Sequence, residues 1–198
     1  MTTLAQFVAL FIWMGFWAVQ AGRSMPKKWT AWQDKANWLS SVPEFILALS
    51  IGLSAAIGWG DKFDLSWLAK GIIFVAGSAI SYAGIQAATW AYLKWEGYGK
   101  PKETRQSTLR PLNDAIGKLL GYKLGDKGYS WIWAATKGFI ITLPLGGTGM
   151  LFLPLGKELA SRVWKLLPGD RWFHAEFTGD GIAYAVSVLT FLWATGVI

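Results

Sequence analysis

A single histidine, no cysteine and no acidic residue at the centre of an apolar run leave this 198-residue chain poor in catalytic side chains. Without cysteine there is no disulfide, no thiolate nucleophile and no Cys-type zinc site. His174 lies in a polar stretch with no partner constellation and reads as an interfacial side chain. Glu44 stands at a helix start, and Asp180 reads as the N-cap of the last apolar run. A proton-coupled transporter or an intramembrane aspartyl protease needs acids within the spans. No two His or acidic residues stand at metal-ligand spacing. The chain is therefore expected to be no enzyme and to carry no cofactor and no metal.

Two further features invite chemistry. Gly146-Gly147-Thr148-Gly149 suggests a phosphate loop, but the Lys after Gly156 comes too late and Glu158 stands where a hydroxyl is needed. Pore lining, close helix approach or flexibility at a hairpin tip remain as readings of these glycines. Lys137 sits inside an apolar segment. A lysine at membrane depth marks a functional site by default. Near a membrane surface it need only snorkel, and that reading is preferred here.

The elements that must hold these residues are set by composition. Hydrophobic residues make up 53% of the chain and charged residues only 16%, with 14 Trp. A soluble domain carries about 25% charged residues, so the expectation is one all-α integral membrane domain over residues 1–198. Residues 4–22 carry no charge and at 1.5 Å rise reach about 28 Å, a first span. In 27–40, Trp29 and Trp32 recur at helical spacing among Lys27, Lys28, Asp34 and Lys35, which predicts a short interfacial helix. Ser41-Val42-Pro43-Glu44 reads as a capping box opening a second span over 42–60. A tight turn with Asp64 as the next N-cap leads to a third span over 67–93. Lys70 lies one turn inside that span and can snorkel.

Gly52, Ala56 and Gly60 repeat every four residues, and so do Ala79, Ala83 and Ala87. Small residues at this spacing let helices approach closely, within one chain or between copies. Pro111 and Gly121 bracket a second interfacial helix over 111–121, with Leu112, Ile116, Leu119 and Leu120 on one stripe. A third covers 158–168, where Arg162, Trp164 and Lys165 flank an apolar stripe, and Trp172 follows at headgroup level. Residues 181–198 carry no side-chain charge and form a fourth span.

Residues 131–156 are apolar but interrupted by Pro144, Gly146, Gly147, Thr148 and Gly149, and again by Pro154. The limb before the break has 13 residues, about 20 Å, too short to cross a core of about 30 Å. The segment is expected to be a re-entrant hairpin whose tip is Pro144, Gly146, Gly147, Thr148 and Gly149. Basic residues support this. With the N-terminus outside, a crossing here would leave 12 Lys/Arg inside and six outside. A hairpin leaves 16 flanking basics plus Lys137 inside, and only Lys62 and Lys70 outside. Both termini are then outside. The formal net charge of +7 is thereby assigned to anionic lipid rather than to nucleic acid.

The run Gly125-Asp126-Lys127-Gly128-Tyr129-Ser130-Trp131-Ile132-Trp133, with Thr142-Leu143-Pro144-Leu145-Gly146-Gly147 and Pro154-Leu155-Gly156, resembles uncharacterised multi-spanning membrane proteins encoded by tailed bacteriophages. The resemblance covers the second half of the chain. It implies a bacterial inner-membrane setting and brings no catalytic residue with it. Holins, another phage class, are usually shorter and lack such a hairpin. The functional expectation is a scaffold or assembly protein presenting a basic, Trp-rich cytoplasmic face to anionic lipid, to a membrane-protein partner or to a second copy. The alternative is a small channel with the glycine hairpin lining its path.

Overall fold

A computed structural model describes residues 2–34, 42–95, 131–165 and 172–198, and every regular element among them is helical. They are α1 (Thr2–Asp34), α2 (Val42–Lys62), α3 (Trp67–Trp95), α4 (Trp131–Ile141), a 3-10 turn (Leu143–Leu145), α5 (Gly149–Lys165) and α6 (Trp172–Ala194). Three stretches are long and apolar enough to cross a membrane: Leu4–Ala21, Val42–Lys62 and Trp67–Trp90. The expected fourth span is a shorter apolar stretch, Gly179–Ala194, within α6. The helix stops there because Gly196 turns left-handed at φ 80° and the Val197 amide bonds back to the Leu192 carbonyl.

The helices pack as a ring. Each of α2 to α6 lies against the next, and α1 touches both α6 and α2. The 3-10 turn lies within the ring, in contact with α2, α3 and α6. Its Leu145 is as buried as Met14, Ile51, Leu153 and Val188, with which it shares the core. Outward faces are apolar too: Ile12, Ile72, Val75 and Leu151 are exposed, and Trp67 is 90% exposed. An exposed apolar surface this broad suits lipid better than water.

Several boundaries differ from the sequence reading. Polarity changes at Arg23, yet α1 runs on to Asp34, so Trp29 and Trp32 belong to the same helix and the start of segment 27–40 is no separate element. Gly22 and Pro26 both oppose helix here, yet neither ends it, and a change of polarity is not a helix stop. Likewise α5 does not end at Gly156 but continues to Lys165, absorbing the start of segment 158–168. Asp64 is not the cap of α3. It sits in the turn at φ 47°, and Ser66 caps instead, its Oγ accepting from the Ala69 amide at 3.3 Å. The segment 111–121 and Ser41 lie outside the described residues.

The small-residue faces divide. Gly52 is buried where α2 crosses α3, and a Cβ on it would lie 2.6 Å from the Ser78 amide nitrogen. Ala56 is buried, and Gly60 packs under the Lys70 stem. On α3, however, Ala79, Ala83 and Ala87 are exposed. The inward face is Gly77, Ser78, Ser81, Gly84, Ile85 and Ala88. Two small-residue stripes share this helix, and only packing against α2 and α4 selects between them. Ala83→Leu is accordingly expected to change thermal stability in detergent by no more than about 0.5 kcal/mol. A loss like that of a core residue would show that a second copy covers this face.

Candidate functional site

The chain between α4 and α5 breaks because Pro144 cannot donate and Gly146 and Gly147 adopt φ 70° and 73°. Such a break frees backbone groups that hydrocarbon cannot satisfy. Here several of them have partners. Thr142, fully buried, donates through Oγ1 to the Gly138 carbonyl at 2.7 Å and accepts the Gly149 amide at 2.7 Å, joining the end of α4 to the start of α5. The Thr142 carbonyl takes the Leu145 and Gly147 amides. Two carbonyls are met from other helices: Ser81 Oγ donates to Ile141 at 2.8 Å, and Trp59 Nε1 donates to Pro144 at 2.9 Å. Thr148 Oγ1 reaches the Ser187 carbonyl at 3.4 Å. Of the tip residues, Gly147 and Gly149 are buried, Pro144 and Thr148 are half-buried, and Gly146 is exposed. Apart from exposed Gly146 the tip is packed, with Leu145 buried beneath it.

Below the turn lies a cluster the sequence reading did not assemble. Lys137 of α4 donates to Asp180 Oδ2 of α6 at 2.5 Å, and Lys157 of α5 stands 3.6 Å from Oδ1. Their side chains are 13%, 7% and 5% exposed for Lys137, Asp180 and Lys157. Asp180 Oδ1 is buried and receives no hydrogen bond. Tyr184, one turn along α6, is buried beside it. Charged groups are rarely this buried unless paired.

Two expectations are corrected here. Asp180 is not an N-cap: α6 begins at Trp172, so the carboxylate lies in the helix interior. Lys137 does not snorkel to a surface but turns inward to Asp180. For Asp180 the apolar run was taken for the whole helix; for Lys137 nearness to the membrane surface was taken to mean exposure to it. The signal that could have found the cluster was the pair of lysines, one on each side of the Gly/Pro break, with an acid at the edge of the next apolar run. By contrast Lys70, half-buried, pairs with exposed Asp61 at 2.8 Å.

A second buried acid is Glu44, 1% exposed, which accepts a hydrogen bond from Gln86 Nε2 and so links α2 to α3. Among the described residues no three His, Cys, Asp or Glu gather as metal ligands would. Arg162 is exposed and pairs with Glu158 at 2.7 Å. The side chains of Trp29, Trp32, Lys27, Lys28, Trp164, Lys165, Trp172 and His174 lie outside the described residues. Comparison with protein-family models, with curated proteins and with solved structures finds no match to this chain.

Proposed function

We propose that this chain is a non-enzymatic, multi-pass scaffold or assembly protein of a bacterial inner membrane. In this reading α1, α2, α3 and α6 cross the bilayer, while α4, the turn and α5 enter from the basic side and return to it. Trp67 and Trp90, both exposed, are 23 residues apart on α3, about 34 Å, which suits the two interfaces of one bilayer. Pro144 packs beside Gly77, ten residues beyond Trp67, so the turn sits about 15 Å below the outer interface, near the midplane. Such irregular backbone is tolerated at that depth only where protein covers it.

The observation that carries the reading is the satisfied turn: donors from Trp59 and Ser81 meet its carbonyls, and Leu145 fills the interior. A packed tip supports a structural wedge over a conducting path. The basic face, with Arg162 exposed on it, is left to anionic lipid or a partner. A reporter fused after Ile198 is expected to be active outside. A cytoplasmic reporter would mean that residues 131–156 cross, and would end the hairpin reading. Purified protein in liposomes is expected to leave small-solute efflux at the level of empty vesicles. Efflux that grows with protein content would replace the scaffold by the channel.

A further inference from the structure

We propose that the hairpin enters the bilayer in a second stage, and that Asp180 is the group that admits it. The spans α1, α2, α3 and α6 cross first. The hairpin's two lysines then move inward against the carboxylate that α6 supplies. This rests on the re-entrant reading above.

Each limb carries one buried lysine, Lys137 on α4 and Lys157 on α5. The α4 limb has 11 residues, about 16 Å, and cannot cross alone. Asp180 stands thirteen residues before Trp193 on α6, about 20 Å from the outer interface, so the cluster lies within the hydrocarbon. An isolated hairpin would bring two ammonium groups and the freed carbonyls of Ile141 and Pro144 into that region. Nothing in lipid satisfies either. The acceptors and donors that do satisfy them belong to other helices: Asp180 on α6, Ser81 on α3 and Trp59 on α2. The hairpin precedes α6 in sequence, yet its polar groups have no complete set of partners until α6 is in place. Glycines at the crossing make the seat close. A Cβ on Gly156 would lie 2.6 Å from the Gly179 carbonyl oxygen, so α5 can bring Lys157 beside Asp180. Along α6 the only other described titratable group near the carboxylate is Tyr184. From α1 the residues beside Gly181 are Met14 and Gly15, which carry no charge.

The chain has no cysteine, so Thr148→Cys places one thiol at the tip. A membrane-impermeant maleimide is applied to vesicles of each orientation, with the Ile198 reporter followed in parallel. The parent is expected to label slowly from both sides. Adding Asp180→Asn is expected to raise labelling from the basic side about a hundredfold, since breaking a buried pair strands its charges, while the reporter stays outside. Adding Asp180→Leu, Lys137→Met and Lys157→Met together is expected to restore slow labelling. Slow labelling in Asp180→Asn overturns the proposal and leaves the hairpin standing. So does a triple variant that stays reactive, because charge would then not be the cause. A reporter that turns cytoplasmic in Asp180→Asn also overturns it, since α6 would then depend on the hairpin. Rapid labelling of the parent from the outer side instead removes the re-entrant reading itself.

Discussion

Gly138→Leu is expected to leave no monodisperse folded protein in detergent, whereas Gly71→Ala is expected to raise stability slightly. A Cβ on Gly138 would run into the carbonyl group of Gly149, and one on Gly149 would lie 2.7 Å from the Gly138 carbonyl oxygen. The obstacle is backbone on both sides, so no rotamer change relieves it. Overpacking of a core costs about 1–3 kcal/mol even when side chains can shift; here the two limbs must part, and the loss should exceed about 3 kcal/mol. Gly71 has nothing within 4 Å, so Ala there only removes a helix-interior glycine, worth about 0.5–1 kcal/mol. The same logic grades the tip. Gly147→Leu meets the Phe139 ring as well as a positive φ, while Gly146 opens on empty space and costs only its φ. Thermal melts should rank Gly138→Leu worst, Gly147→Leu next, Gly146→Leu milder, and exposed Leu151→Ala near neutral. A Gly138→Leu protein as stable as the parent would contradict the crossing of α4 and α5.

Asp180→Leu should lower stability by about 3–5 kcal/mol, because it leaves buried ammonium groups facing an alkyl chain. Adding Lys137→Met and Lys157→Met should recover most of this loss, since an apolar replacement of a whole buried ionic group is often neutral. Salt gives a second signature. Raising ionic strength should leave the Asp180→Leu effect unchanged, as buried pairs are little screened. Lys70→Met, which removes the exposed pair with Asp61, should cost no more than about 1 kcal/mol, and less in high salt. Denaturation in mixed micelles at two salt concentrations measures both. Equal salt sensitivity at the two sites would place the Asp180 cluster in contact with water.

Hydropathy alone carried the membrane class, because burying backbone in lipid demands long helices with few charges, and 4–22, 42–60 and 67–93 have that length and composition. Pro144 with Gly146 and Gly147 made the chain break legible, since their backbone restrictions are local. Gly52, Ala56 and Gly60 marked a close-packing face for the same reason. Helix ends were not legible from changes of polarity: α1 ran past Arg23 despite Gly22 and Pro26, and α6 began before Asp180 despite Gly179 and Gly181. Three things waited for the tertiary structure. The choice of Gly77, Ser81 and Gly84 over Ala79, Ala83 and Ala87 depends on which neighbours α3 meets. The glycine contacts Gly138–Gly149, Gly156–Gly179 and Gly15–Gly181 join helices at separations no sequence period encodes. The Lys137–Asp180–Lys157 cluster depends on three helices turning toward one another. Composition and local stereochemistry act within a few residues, so they determine spans and turns. Which polar groups meet in a low-dielectric interior is decided only when the helices close into a ring, because there a charge is tolerated only beside its partner.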